Sequence, residues 1–170
     1  MPTVAIVTDS TSDLPGQLAS ELGVTVVPLV LTLDGQTYRD GVDIGPDDFY
    51  HRLERSGGTA TTSQPSIGEF SAVYEKLLRD HEQVLSLHLS GTLSGTVESA
   101  RQAAEMVGGG RVTVVDTRFV SMALALARAA LMLPASLLNK GLARLPGRKY
   151  SSGRGTKLHD AARAILNRDA

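Results

Sequence analysis

Four loops of this chain collect side chains suited to gripping a small anion. They are Asp9-Ser10-Thr11-Ser12-Asp13, Thr59-Ala60-Thr61-Thr62-Ser63-Gln64-Pro65-Ser66, Ser90-Gly91-Thr92-Leu93-Ser94-Gly95-Thr96, and Asp116-Thr117-Arg118 followed by Ser121. All are rich in Ser, Thr and Gly and poor in cations. Hydroxyls are neutral donors, and glycine lets backbone approach a ligand closely. Helix N-termini add unpaired N–H groups and the positive end of a dipole. Together these suit a carboxylate held without a full counter-charge. Any one Ser or Thr could equally cap a helix; the set of loops favours a site.

Other chemistries fit less well. Acyl transfer needs a nucleophile, a base and an orienting acid, and Ser94, His88 and Asp9 or Asp116 supply the types. However, Gly91-Thr92-Leu93-Ser94-Gly95 does not match the Gly-x-Ser-x-Gly elbow that exposes a nucleophile. His88 sits at a strand end, where a packed histidine is as good a reading as a base. No phosphate-binding Gly-x4-Gly-Lys-Ser/Thr loop occurs, and Thr11 stands where an aspartyl-phosphate enzyme would carry a second carboxylate. His51, His81, His88 and His159 show no metal-ligand spacing. Nucleic-acid binding would use aromatic stacking, and Tyr150 alone lies beside a basic cluster. The expectation is a binding protein, not an enzyme, with no metal, no cofactor and no nucleic-acid partner.

These loops need a frame. Thr3 to Thr8 reads as a buried strand and Asp13 to Leu22 as a helix ended by Gly23. Val24 to Leu33 is β-rich but interrupted by Pro28, followed by an Asp34-Gly35 turn. Pro46 to Arg55 is a helix with Asp47 and Asp48 in its first turn. Ser66 to Asp80 is the clearest helix, with Ser66 and Glu69 at capping-box spacing. Val84 to Leu89 reads as a strand, Ser94 to Val107 as a helix, Arg111 to Val115 as a strand, and Arg118 to Leu133 as an apolar helix stopped by Pro134. Strands alternating with helices imply a three-layer, doubly wound α/β fold with a mostly parallel sheet.

The chain has 170 residues, 42% hydrophobic and 21% charged, with no cysteine. That size buries a core without disulfides or metals. Met1-Pro2-Thr3 runs straight into a short strand and is not a secretory signal. Met122 to Leu133, the most apolar segment, is too short to span a membrane, which takes about 20 residues. A cytoplasmic location is expected. Residues 1–132 hold 9 Lys/Arg against 16 Asp/Glu, while 133–170 hold 8 against 2. Residues 134–170 thus read as a basic, Gly- and Ser-containing tail of no assignable domain, with one short amphipathic helix between Thr156 and Asn167.

Asp9 to Pro15, Thr62-Ser63-Gln64-Pro65-Ser66, Ser90 to Thr96, and Val115-Asp116-Thr117 with Val120-Ser121-Met122 resemble the DegV family in order and spacing. The resemblance covers residues 3–132, so 1–133 is expected to be the N-terminal lobe of that family. It implies a long-chain fatty acid whose acyl chain lies in a tunnel and whose carboxylate sits at a polar mouth. The family's carboxylate-binding hydroxyls correspond to Thr62 and Ser94, with the N–H of Gly95 close by. Ser10, Thr11, Ser63, Thr96 and Ser121 are expected to extend that pocket. The resemblance further implies a carrier that presents its acyl group to a separate fatty acid kinase. Ser121-Met122-Ala123 departs from the family's Ser-x-Gly, and the family's second lobe has no counterpart after Leu133. A half tunnel would leave an apolar groove that a homodimer could cover. The alternatives are a hydrolase using Ser94 and His88, and a truncated remnant that binds nothing.

Overall fold

Short β-branched runs alternate with helical segments, and the backbone follows them. The computed structural model of the chain describes residues 4–56 and 59–121. These form β1 (Val4–Asp9), α1 (Gly16–Glu21), β2 (Val24–Val27), β3 (Val30–Leu33), β4 (Gln36–Arg39), α2 (Pro46–Ser56), β5 (Ala60–Ser63), α3 (Ile67–Leu77), β6 (Gln83–His88), α4 (Thr96–Val107) and β7 (Val112–Asp116).

Four strands make a parallel sheet in the order β2-β1-β6-β7. From β1 the chain winds through α1 to β2, and from β6 it winds the other way through α4 to β7. Right-handed crossovers then set α1 and α4 on opposite faces, which is the doubly wound arrangement expected from the sequence. The winding reverses between β1 and β6.

Alternation along the strands sorts their side chains. Ala5, Val7 and Val84 join Phe70, Tyr74 and Leu78 of the α3 segment and Ala100 and Ala103 of α4 in one buried cluster. Phe70, Tyr74, Ala100 and Ala103 are all 0% exposed, and the two alanines let α4 approach α3 closely. Burying one large apolar side chain contributes about 1.5–3 kcal/mol, so Phe70 and Tyr74 anchor α3 to the sheet. Ser66 caps that helix as its spacing predicts. Its hydroxyl accepts the Glu69 N–H at 3.2 Å, and the Glu69 carboxylate accepts the Ser66 N–H at 2.7 Å.

A second sheet is antiparallel, in the order β4-β3-β5. Pro28 does more than interrupt one β-rich run: it divides the run into strands of different sheets. Asp34 and Gly35 have φ of 52° and 75°, the paired positive values of a two-residue hairpin turn. The polar stretch expected as a loop from Thr59 to Ser66 instead holds β5, which pairs with β3 by backbone bonds that its side chains do not advertise.

Helix boundaries also move. The first helix starts at Gly16, because Asp13 takes a left-handed φ of 50°. The helix expected from Arg118 is absent as far as Ser121, where Arg118 and Ser121 have φ of 58° and 61°. Its remainder and the basic tail lie outside the described residues. Among the described residues no helix is long and apolar enough to cross a membrane.

Candidate functional site

A cleft of about 580 Å³ opens where the parallel sheet changes winding direction. Open α/β sheets bind ligands at that point, beyond the carboxyl ends of their strands. One wall carries Thr11 and Asp13 after β1 and Val120 and Ser121 after β7. Another carries Leu89, Leu93, Ser94 and Gly95 between β6 and α4. Thr62 and Gln64 of the β5 segment, with Leu29 and Asp40, complete it.

Local sequence explains these placements. The Ser90–Thr96 segment is rich in hydroxyls, which bond nearby backbone and compete with helix. Ser90 O accepts the Leu93 N–H at 2.9 Å, and Ser94 Oγ accepts the Thr96 N–H at 3.2 Å. The helix therefore begins at Thr96, later than expected, and Gly95 takes the cap position with no side-chain cap of its own. The Thr96 N–H is thereby taken by Ser94, and Gly95, just before the first turn of α4, lines the cleft. A methyl group at Gly95 would lie 2.5 Å from the Gln64 side-chain amide, so glycine is what lets that amide rest on the helix start. Thr62 is held in β5 opposite Leu31 of β3. Leu29 and Asp40 are tied together because the Asp40 N–H donates to Leu29 O at 2.9 Å.

Beneath the cleft lies a buried polar chain. Asp9 and His88 are both 0% exposed, and His88 Nδ1 is 2.8 Å from Asp9 Oδ2. Asp9 also accepts the N–H and hydroxyl of Thr11 and the N–H of Leu89. His88 Nε2 is 2.6 Å from Ser86 Oγ, which is 2.8 Å from the Tyr74 hydroxyl. Burial by itself would raise the Asp9 pKa, but the bonds from His88, Thr11 and Leu89 and the nearby imidazole outweigh it and hold the group below 3.8. Burial pushes the Tyr74 phenol up to about 12.

Of the residues expected at the site, Thr62, Ser94, Gly95, Thr11 and Ser121 share this cleft. Ser10 instead accepts the Leu29 N–H at 3.0 Å and braces the cleft from behind. Thr96 is fully buried behind Ser94, and Ser63 ends β5 without lining the cleft. Gln64, Asp13, Asp40 and the apolar lining were not singled out by sequence reasoning. Gln64 could have been, since it follows Thr62 and Ser63 in the same polar stretch. Asp40 lies in no motif and becomes visible only through β4. Ser94 and His88 are not paired: Ser94 bonds to Thr96, and both His88 nitrogens are taken by Asp9 and Ser86.

The charged residues lining the cleft, Asp13 and Asp40, are both acidic among those described. Asp13 accepts a hydrogen bond from the Ser121 hydroxyl. Any anion here would be held by neutral donors and the helix dipole. Among the described residues there is no group of three or more His, Asp or Glu placed to hold a metal ion.

The chain has relatives with this fold. A DegV domain-containing protein of Deinococcus radiodurans is 49% identical over 124 residues, which span 73% of this chain and 44% of that protein. The DegV domain-containing 15.5 kDa protein of Staphylococcus aureus is 43% identical over 119 residues, or 70% of this chain and 84% of that protein. A DegV family protein of Thermus thermophilus, solved as a fatty-acid-binding structure, superposes with a TM-score of 0.72 at 41% identity, covering 95% of this chain and 54% of that one. DegV of Bacillus subtilis, described as a fatty acid binding protein, gives 0.76 at 28% identity, covering 96% and 53%. The chain thus spans about half the length of these solved relatives. The family model for DegV, described as an uncharacterised protein, matches residues 3–133, and on that match the chain belongs to the DegV family.

Proposed function

We propose that the cleft binds a long-chain fatty acid by its carboxylate and performs no chemistry on it. One observation carries this reading. Thr62 of β5 and the adjacent pair Ser94 and Gly95 of the β6–α4 loop come from two separate segments yet line one cleft, whose other contacts include Leu29, Leu89, Leu93 and Val120. Hydroxyl and N–H donors beside apolar side chains match the two halves of a fatty acid. The Thermus and Bacillus relatives are described as fatty-acid binding, which supports the same ligand here. Thr62 and Ser94 would donate to the carboxylate oxygens, with the Gly95 N–H at the α4 start as a third donor. Thr11 and Ser121 extend the polar mouth.

Delivery of the acyl group to a separate kinase, and pairing of two copies over the apolar groove, complete the proposed role as a carrier. The first follows from the family resemblance alone, the second from the apolar groove that a half tunnel would leave. The alternative hydrolase built on Ser94 and His88 is less well supported, since His88 is buried, its ring nitrogens face Asp9 and Ser86, and Ser94 bonds to Thr96 instead.

The test is to purify the chain from cells, denature it, extract it with organic solvent and weigh the extract by mass spectrometry. Near-stoichiometric fatty acid is expected. An extract free of fatty acid, from protein that also fails to take up added hexadecanoate, would remove the proposal.

A further inference from the structure

Asp9 cannot touch a ligand. It is 0% exposed and does not line the cleft. What it holds does line it. Oδ1 accepts the Thr11 N–H at 3.1 Å and the Thr11 hydroxyl, while Oδ2 accepts the Leu89 N–H at 3.3 Å and faces His88 Nδ1 at 2.8 Å. Thr11 follows β1 and Leu89 follows β6, so one carboxylate spans the two strands between which the winding reverses. Both residues are on cleft walls, and Leu89 leads directly into the loop that carries Ser94 and Gly95.

His88 is fixed in turn on every side. Its Nε2 reaches Ser86 at 2.6 Å, its ring meets Phe70 edge-on at 5.0 Å, and its carbonyl accepts the Thr117 N–H at 3.1 Å and hydroxyl at 2.7 Å. The frame therefore extends from α3 to the segment after β7. Replacing buried, hydrogen-bonded charged groups with packed apolar ones is often neutral or stabilising, so the Asp9–His88 contact is a poor device for stability alone. What an apolar pair could not supply is direction: four donors from two loops converge on two oxygens.

We propose that Asp9, oriented by His88, is a positioning residue for the cleft, fixing the spacing between the Thr11 wall and the Leu89–Gly95 wall. The ligand arm of its test rests on the carboxylate reading above; the ligand-free arm does not.

The test uses the full chain with Asp9→Asn, His88→Leu and His88→Asn. The last keeps a donor near the Nδ1 position and drops the link to Ser86. In the ligand-free arm, amide hydrogen exchange at Thr11 and Leu89 should quicken by about tenfold or more in Asp9→Asn and His88→Leu, as the loss of a charge-assisted bond implies. Exchange at Val114 of β7 should stay unchanged, and His88→Asn should resemble the parent. In the ligand arm, hexadecanoate affinity should fall about tenfold in the first two variants while hexadecanol affinity moves by less than about threefold.

Unchanged exchange at Thr11 and Leu89, exchange rising throughout the sheet, or His88→Asn behaving like His88→Leu would each overturn the proposal. So would acid and alcohol affinities falling in parallel. If the parent itself fails to prefer the acid, the carboxylate reading falls and the exchange arm alone decides. Should Asp9→Asn not fold, the two His88 variants carry both arms.

Discussion

At the scale of single residues, Asp9 joins stability to pH. Its pKa is held below the ordinary 3.8 in the folded chain, because bonds from His88, Thr11 and Leu89 outweigh burial. A carboxylate depressed on folding adds stability above its unfolded value and loses it as pH falls through that value towards the folded one. Unfolding by urea should therefore become easier as pH drops below about 4. In Asp9→Asn, stability near neutral pH should be lower by about 1.5–3 kcal/mol, the worth of a charge-assisted bond, and the acid loss should be shallower. Parallel curves for parent and variant would show that Asp9 is not the group responsible. Thr62 and Ser94 act at the same scale but differently. Thr62 is exposed and Ser94 half-buried, so both have little packing to lose and their substitution should alter binding more than folding.

At the scale of elements, the Ser66–Glu69 capping box sets where α3 begins, and α3 carries Phe70 and Tyr74 into the core. Ser66→Ala should cost about 1 kcal/mol, read as a lower urea midpoint with unchanged slope; no shift would mean that packing alone holds that terminus. This helix was legible in the sequence because its cap and its 3.6-residue apolar spacing agree. The parallel strands were legible as β-branched runs. β5 was not, since Ala60-Thr61-Thr62-Ser63 is mostly exposed and joins the sheet by backbone pairing with β3. The start of α4 was misplaced by the same chemistry that makes the site, because the hydroxyls of Ser90–Thr96 take backbone groups that a helix would use. Thr62, Ser94 and Gly95 were put forward through the family resemblance, and they share the cleft. Gln64 lay within one of the motifs without being assigned a role, and Asp40 needed the fold, as nothing local marks it. The buried Asp9–His88 contact joins residues 79 apart, a distance that pattern alone does not bridge.

At the scale of the whole molecule, segments after β1, β5, β6 and β7 converge on one cleft, although the chain spans about half the length of its solved relatives. Acyl-chain burial contributes about 0.8 kcal/mol per CH₂, so affinity for a long chain depends on how much apolar wall this length provides. The proposed carboxylate grip would depend on fewer groups and separate cleanly from it. The direct test is a calorimetric titration of hexadecanoate and hexadecanol into parent, Thr62→Val and Ser94→Ala. One hydrogen bond to a charged group is worth about 1.5–3 kcal/mol, so each substitution should weaken hexadecanoate binding roughly ten- to a hundredfold and leave hexadecanol nearly unchanged. Equal binding of hexadecanoate by all three proteins would place the carboxylate elsewhere and contradict the site.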